Sequence, residues 1–420
     1  MTKNNKNGTP APDDSHVVEN DRVYVLDTTL RDGEQSPGFS MDVEQKMSMA
    51  QSLRDLGVDT IEAGFAASSP GDFESVRRVA SEIEGPAICS LSRAFEADVE
   101  AAGKALEPAA KKRIHVFLAT SPIHRQAKLQ MSKAEVLEHA VRSMQHARTF
   151  TDDVQFSPED SARTEPEYLR EVVEAVIDAG ATTINLTDTV GYMTPDEMFA
   201  MVSDVKNNVP NIGKARISVH CHNDLGLAVA NSLAALKAGA RQVEGTINGI
   251  GERAGNASIE EVIMAIRTRQ NVYNFDLNVD TTKIYPASAM LAELTGNPVQ
   301  RNKAIVGRNA FAHEAGIHQH GMMQDASTYE IMKPQDIGIP ESRLVLGKHS
   351  GRHAFGARLK DMGHTFQKDD FERLFAEFKV LADHKKEVMD SDLVNLVEAM
   401  NSPASRAREE VSGAIYALYQ

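Results

Sequence analysis

Short apolar runs alternate with longer amphipathic stretches from Val23 to about Arg269. The runs have the length of buried strands, and the stretches between them repeat apolar residues at helical spacing. Such alternation is typical of successive βα units. The predicted strands are Val23–Asp27, Asp59–Ala63, Ala87–Leu91, Arg113–Leu118, Asp153–Ser157, Thr183–Thr187, Arg216–His220 and Gln242–Thr246.

Helices are predicted between these strands, and several have an N-terminal start signal. Ser132 and Ser258 precede two of them, where a hydroxyl can accept from free backbone N–H groups. The stretch Ala94–Ala105 gives the weakest helical pattern because it is rich in alanine. The other predicted helices are Val43–Leu56, Gly71–Ile83, Lys133–Thr149, Pro166–Ala179, Asp196–Asn207, Ala228–Ala238 and Ile259–Arg269.

Eight βα units over about 250 residues predict an α/β protein of the (β/α)8 TIM barrel class. We assign this catalytic barrel to residues 22–272, with a doubly wound open sheet as the alternative. The βα rhythm then stops, and residues 273–420 predict a mainly helical C-terminal subdomain that includes a lid. Its predicted helices are Tyr285–Leu294, Ala310–Ile317, Phe371–His384 and Leu393–Met400. Residues 1–21 are polar and are predicted to form a disordered N-terminal arm.

Composition favours an enzyme that acts on small molecules. The formal net charge of −15 is spread along the 420 residues, which argues against a nucleic-acid surface. The first 21 residues contain no apolar stretch for a signal or membrane anchor. Cys89 and Cys221 lie in apolar strand-like segments and provide no disulfide framework. We therefore expect a cytoplasmic protein that binds neither nucleic acid nor membrane.

A candidate metal site follows from the ends of three predicted strands. His220 and His222 are two residues apart on a strand, so their side chains point the same way. Asp32 follows strand one and Asn256 follows strand eight, which adjoins both strand one and strand seven in a closed barrel. A carboxylate and two imidazoles suit Zn²⁺, Mn²⁺ or Mg²⁺. The alternative is that the histidines are hydrogen-bonded wall residues.

Barrel enzymes place their chemistry on the loops that follow the strands, and other polar residues fall at this mouth. Next to a metal, the guanidinium of Arg31 could stabilise a developing enolate or alkoxide, whereas elsewhere it would be a solvated charge. Further polar residues could each be helix caps but together predict a polar cavity. They are Glu62, His115, Ser157, Glu159, Thr187, Asp188 and Thr189.

Two other motifs are less specific. Gly249, Gly251 and Gly255 miss the dinucleotide fingerprint by one residue, so no nicotinamide cofactor is indicated. His313, His318 and His320 lie outside the predicted barrel, where isolated histidines usually serve packing or the surface. Their density nevertheless fits a lid that carries a titratable group.

Three long segments closely resemble 2-isopropylmalate synthases. They are residues 27–38 (DTTLRDGEQSPG), 220–226 (HCHNDLG) and 245–256 (GTINGIGERAGN), within a similarity from about Val23 to about Met400. The resemblance implies a metal-dependent barrel followed by helical subdomains. It also implies condensation of acetyl-CoA, as co-substrate, with a 2-oxo acid, after which water hydrolyses the thioester.

The resemblance also implies roles for individual residues. Asp32, His220 and His222 match the metal ligands, and Asn256 matches a further position of that site. Arg31 matches an arginine that contacts the oxo acid. The residues that match the oxo-acid pocket are His115, Ser157 and Thr189. Glu159 and His318 match an acid/base pair in which the histidine comes from the partner subunit, so a homodimer is expected.

The expected acceptor is 3-methyl-2-oxobutanoate, as in leucine biosynthesis. The alternatives keep the machinery and change the acceptor, as in homocitrate, citramalate or methylthioalkylmalate synthases. A different class is a lyase related to hydroxymethylglutaryl-CoA lyase, which lacks the long C-terminal extension, and a third is a non-catalytic barrel. The leucine regulatory domain is expected to be absent, and a leucine titration would test the expected lack of feedback. The resemblance also shows one departure: this sequence has His320 where related synthases often have an acidic residue.

Overall fold

The computed structural model describes residues 21–313, 325, 328–340, 343–344, 346–385 and 387–401. Residues 1–20, most of the predicted arm, and the candidate His318 lie outside this set. The described residues up to Asn297 belong to one compact unit, and those from Pro298 onward belong to a second. Within the described ranges, no helix is both long and apolar enough to cross a membrane.

In the first unit, eight strands of the described chain close into a parallel barrel. The register of the last pair, with Tyr24 opposite Gln242 and Asp27 opposite Gly245, joins the first strand to the eighth. The predicted TIM barrel is therefore confirmed and the open sheet is wrong. The strands are β1 (Tyr24–Asp27), β2 (Thr60–Gly64), β3 (Ala87–Arg93), β4 (Lys112–Ala119), β5 (Asp153–Glu159), β6 (Thr183–Asp188), β7 (Arg216–Cys221) and β8 (Gln242–Gly245).

Helices follow the strands and pack on them through apolar residues. Leu53, Val79, Val172 and Val202, on four different helices, are fully buried. Ser132 caps its helix as predicted: its hydroxyl accepts from the Glu135 backbone N–H, and the Glu135 carboxylate accepts from the Ser132 backbone N–H. The helices are α1 (Val43–Leu56), α2 (Pro70–Glu82), α3 (Glu96–Ala105), α4 (Lys133–Ala147), α5 (Pro166–Asp178), α6 (Pro195–Asn208), α7 (Ala228–Ala238), α8 (Ile259–Thr268) and α9 (Ile284–Thr295).

The second unit contains α10 (Arg352–Asp361), α11 (Lys368–His384) and α12 (Asp390–Asn401). Its core is aromatic, and the rings of Phe355 and Phe378 stack with centroids 4.6 Å apart. The predicted helix Ala310–Ile317 is wrong over its described residues, because Ala312–His313 pairs as a short parallel strand with Arg343–Leu344. The local apolar spacing gave no signal of this distant partner.

Candidate active site

A cavity of about 330 Å³ lies in the first unit at the carboxyl ends of the barrel strands. Most of the predicted site residues line it: Arg31, Asp32, His115, Ser157, Glu159, Thr189, His220 and His222. Apolar side chains form another part of its wall: Phe65, Leu91 and Phe117. Asn256 lies beside the cavity, where its Nδ2 donates to Asp32 Oδ2 over 2.6 Å.

The structure brings Asp32, His220 and His222 together. Asp32 Oδ2 lies 3.4 Å from His222 Nε2 and 3.8 Å from His220 Nε2. One ligand atom from each residue lies within 4.8 Å of the others, and all three side chains are buried. The two imidazoles and one carboxylate are the mixed donor set that a divalent cation accepts.

Backbone structure explains how these side chains converge. His220 lies in β7, and His222 follows it and forms an antiparallel bridge with Asn256 after β8. Asp32 lies on a π-helical turn, Thr29–Gly33, immediately after β1. Asp27 stabilises the start of this turn, since its carboxylate accepts from the Thr29 N–H and hydroxyl over 2.8 and 2.9 Å. Three strand ends therefore contribute to one site.

Electrostatics keep Asp32 ionised. Burial alone would raise the pKa of Asp32, but the Arg31 guanidinium and the two histidines outweigh it, so this pKa lies well below its usual range. Arg31 Nη1 lies 2.9 Å from Asp32 Oδ1, which leaves Oδ2 facing the imidazoles. Desolvation lowers the pKa of His222, which favours the neutral imidazole that binds metals.

The remaining imidazole nitrogens have opposite partners. His220 Nδ1 lies 3.3 Å from Glu244 Oε2, a buried carboxylate. His222 Nδ1 lies 2.8 Å from Arg253 Nη2, which can only donate. For neutral His222 to bind a cation through Nε2, its Nδ1 must carry the proton, so Arg253 must then leave this nitrogen. Among the described residues, the buried Asn256 Oδ1 has no hydrogen-bond partner, as a further ligand oxygen would be before binding. These residues fit a divalent cation.

Glu62 organises a second cluster beside the first. Its Oε2 accepts from Arg31 Nε and Thr28 Oγ1, both over 2.6 Å, and its Oε1 accepts from His115 Nδ1 over 2.6 Å. Burial would raise the pKa of Glu62, but Arg31 and His115 hold it well below its usual range. His115 Nε2 in turn lies 2.6 Å from Ser157 Oγ. Glu62 therefore fixes both Arg31 and the imidazole of the predicted oxo-acid pocket.

Glu62, His115 and Cys89 also have ligand atoms within 4.8 Å of one another. The carboxylate and both imidazole nitrogens already have hydrogen-bond partners, and burial raises the pKa of the Cys89 thiol well above its usual value. A cation would have to displace those contacts. This cluster is therefore better suited to orienting Arg31 and Ser157 than to binding a metal.

Glu159 and Thr189 also line the cavity, and both are hydrogen-bonded to neighbouring groups. Both carboxylate oxygens of Glu159 accept from Lys128 Nζ over 2.9 Å. Thr189 Oγ1 accepts from the backbone N–H of Asp160 and donates to Thr187 Oγ1. The proposed partner of Glu159 in acid/base chemistry, His318, lies outside the described residues.

Comparison with known proteins decides the family. Residues 22–291 match the HMGL-like family model, and residues 305–386 match the model described as homocitrate synthase post-HMGL domain-like. The 2-isopropylmalate synthase of Aquifex aeolicus is 59% identical over 90% of this chain and 73% of its own length. That of Heliobacterium modesticaldum is 57% identical over 90% of this chain and 74% of its own length. The chain belongs to the 2-isopropylmalate synthase family.

A solved structure shows the same barrel outside the 2-isopropylmalate synthases. Hydroxymethylglutaryl-CoA lyase from Pseudomonas aeruginosa aligns with a TM-score of 0.57 and 22% identity, covering 66% of this chain and 95% of that one. At this identity the likeness shows the fold alone. The expected difference between the synthases and the lyases is the C-terminal extension, and residues 305–386 match the post-HMGL domain model.

Three residues at this 2-isopropylmalate synthase site received no specific role from the sequence: Glu62, Glu244 and Arg253. Glu62 and Glu244 did carry a signal, because each is a carboxylate within a strand expected to be buried, and both are fully buried. A buried carboxylate needs hydrogen-bonding partners. Arg253 lies in a glycine-rich loop whose path the sequence does not reveal.

Asp27 gives the site a testable pH dependence. Burial raises the pKa of Asp27 to about 7, above its value in the unfolded chain. The protonated Asp27 side chain therefore makes its full contribution to the unfolding free energy below about pH 4, and this contribution is lost as the pH rises through about 7. Between about pH 5 and pH 8 the loss amounts to about 3 kcal/mol. From pH 5 to pH 8 the unfolding free energy of the wild type should therefore fall by roughly 3 kcal/mol more than that of Asp27→Asn, which has no carboxyl group at this position. Urea unfolding at both pH values measures this, and equal pH dependence in both proteins contradicts it.

Proposed function

We propose that this chain catalyses the condensation of acetyl-CoA with 3-methyl-2-oxobutanoate and hydrolysis of the resulting thioester to 2-isopropylmalate. The observation that carries the proposal is the convergence of Asp32, His220 and His222 beside Arg31 in one cavity. Membership of the family supplies the reaction, and the cavity supplies groups that suit it. A non-catalytic barrel would have no use for this set of buried charges.

Asp32, His220 and His222 would hold a divalent cation, with Asn256 Oδ1 beside them. The donor set is compatible with Mn²⁺, Mg²⁺ or Zn²⁺. When bound, the cation supplies Lewis-acid polarisation of the ketone of the 2-oxo acid. The negative charge of Asp32, maintained by Arg31, keeps this site ready for a cation.

Arg31 is proposed to stabilise the oxyanion that develops when the enolate of acetyl-CoA attacks the ketone. Its guanidinium is anchored by Glu62 through Nε and by Asp32 through Nη1, so its position is set before substrate binds. A preorganised charge stabilises a transition state without the cost of reorientation.

The pocket for the 2-oxo acid has a polar and an apolar side. His115, Ser157 and Thr189 are proposed to bind the polar end of the substrate, and Asn185 Nδ2 donates to Ser157 Oγ over 2.9 Å to hold that hydroxyl. The apolar lining residues are proposed to receive the branched alkyl group: Phe65, Leu91 and Phe117. An apolar wall favours 3-methyl-2-oxobutanoate over 2-oxoglutarate, whose second carboxylate would lose its hydration there.

Glu159 and His318 are proposed as the acid/base pair, with the partner subunit's His318 completing the site in a homodimer. Glu159 lines the described cavity. Both of its carboxylate oxygens bind Lys128 Nζ, so Lys128 must move before Glu159 can contact the substrate.

A panel of 2-oxo acids assayed with acetyl-CoA tests the proposed acceptor. We expect kcat/KM, followed as thiol release, to be highest for 3-methyl-2-oxobutanoate. A 2-oxo acid with one methylene more or less should have a kcat/KM lower by about 10-fold or more. The dicarboxylate 2-oxoglutarate should have a lower kcat/KM still. A maximum with 2-oxoglutarate or pyruvate would instead indicate a homocitrate or citramalate synthase. Omitting the oxo acid is the control, and cleavage of 3-hydroxy-3-methylglutaryl-CoA would indicate a lyase.

A further inference from the structure

A chain of buried polar side chains runs through the barrel interior to His220. Arg113 pairs with Asp153 over 3.0 Å, and its Nη1 donates to Gln242 Oε1 over 2.9 Å and to Gln155 Oε1 over 3.3 Å. Gln155 Nε2 then donates to Glu244 Oε1. The interior of this barrel therefore contains a continuous hydrogen-bond network where apolar side chains would ordinarily be packed.

Glu244 is the last member of this network. It is fully buried, and its Oε1 receives Gln155 Nε2 and, at 3.5 Å, Ser218 Oγ. Its Oε2 lies 3.3 Å from His220 Nδ1, which is ion-pair distance, and neither of these two buried atoms forms a hydrogen bond with any residue that the structure describes. Burying a carboxylate is costly unless its oxygens are hydrogen-bonded. The geometry thus directs one oxygen of Glu244 specifically at a candidate metal ligand.

We propose that Glu244 is a positioning residue for the metal site: it accepts the proton of His220 Nδ1 and thereby leaves the Nε2 lone pair directed toward Asp32. This inference rests on the metal site proposed above. A neutral imidazole carries one proton, so fixing it on Nδ1 makes Nε2 the ligand atom. Carboxylates that hold a ligating histidine in this way typically strengthen metal binding.

The contrast with His222 strengthens the assignment. The Nδ1 of His222 faces the Arg253 guanidinium, which donates, so this imidazole does not yet have the proton arrangement that metal binding through Nε2 needs. Of the two histidines, only His220 has an acceptor facing its Nδ1, which is the arrangement that metal binding through Nε2 requires. Glu244 is therefore expected to act mainly on metal affinity, through His220.

The network also predicts the effect of an isosteric change. Gln155 Oε1 is already occupied by Arg113 and by Gln242 Nε2, so the Gln155 amide must present its NH2 group to residue 244. In Glu244→Gln the new side chain would then turn its oxygen to Gln155 and its NH2 group to His220 Nδ1. That NH2 group can only donate, so the His220 proton would move to Nε2, the atom that the metal needs.

The test measures metal binding to the full-length protein without substrate. We expect Glu244→Gln to weaken the Kd for Mn²⁺ or Zn²⁺ by about 10- to 100-fold, measured by competition with a chromophoric chelator. Glu260→Gln is the matched control, because Glu260 is also a buried carboxylate whose contacts include the Asn248 N–H and the Ser258 hydroxyl. Its Kd should stay within about 2-fold of the wild type.

Two further measurements separate the possible failures. In metal-free wild type, ¹⁵N-histidine NMR should show His220 protonated at Nδ1, and protonation at Nε2 would overturn the inference even if Glu244→Gln fails to fold. An unchanged Kd in Glu244→Gln would also overturn it, provided that Asp32→Ala abolishes binding. If wild type itself binds neither ion, the proposed metal site fails, and the role of Glu244 fails with it.

Discussion

Replacing His222 with alanine should remove tight binding of the divalent cation and lower kcat by about 10³-fold or more. The variant keeps one carboxylate and one imidazole, and His222 Nε2, which lies 3.4 Å from Asp32 Oδ2, is lost. Polarisation of the ketone by the cation lowers the activation free energy by several kcal/mol. A loss of about 4 kcal/mol of this stabilisation lowers the rate by a factor of about 10³. Metal content after dialysis and turnover with 3-methyl-2-oxobutanoate are the two measurements.

A histidine away from the cavity provides the control. His146 lies on α4, where its ring packs edge-on against Phe150 with centroids 5.4 Å apart. His146→Ala should lose some stability but keep its metal and its kcat. If His222→Ala retains both metal content and turnover, the metal site is assigned to the wrong residues.

The second large effect is expected from Arg31→Lys, which should lower kcat by about 10²- to 10³-fold. Lysine keeps the positive charge but cannot donate to Glu62 and Asp32 at once from a planar group. Arg31 makes these contacts over 2.6 and 2.9 Å. Without them, the charge is no longer held where the oxyanion develops. KM for the 2-oxo acid should change much less than kcat, since the interaction is strongest in the transition state.

Arg125→Lys is the matched control for this change. Arg125 is also buried and forms a two-point salt bridge with Glu165, over 2.9 and 2.8 Å, outside the residues that line the cavity. Its replacement should reduce stability while leaving kcat near that of the wild type. Equal losses of kcat in both variants would show that general destabilisation, rather than oxyanion stabilisation, explains the effect at Arg31.

Much of the barrel could be predicted from the sequence, because its strands and helices differ in period. Each of the eight predicted strands appears in the structure with its ends shifted by at most a few residues, and α1 and α7 have the predicted bounds. The convergence of His220 and His222 also followed from their spacing alone, since residues two apart on a strand face the same side. Ring closure then placed Asp32 and Asn256 nearby.

Other features depended on contacts between residues distant in sequence. Ala312 and His313 are a short strand because Arg343 and Leu344 lie opposite them, and local apolar spacing cannot encode that partner. The roles of Glu62 and Glu244 were hidden for the same reason. Glu62 contacts His115 across 53 positions, and Glu244 meets Gln155 across 89.

The sequence by itself determined the (β/α)8 class, the strand ends at which chemistry is found and the residue types able to bind a cation, because these follow from periodicity and from the chemistry of single residues. Only the tertiary structure decided which nitrogen of each histidine faces which partner. That choice depends on sub-ångström placement of buried carboxylates and guanidinium groups, and such placement results from the packing of the whole barrel.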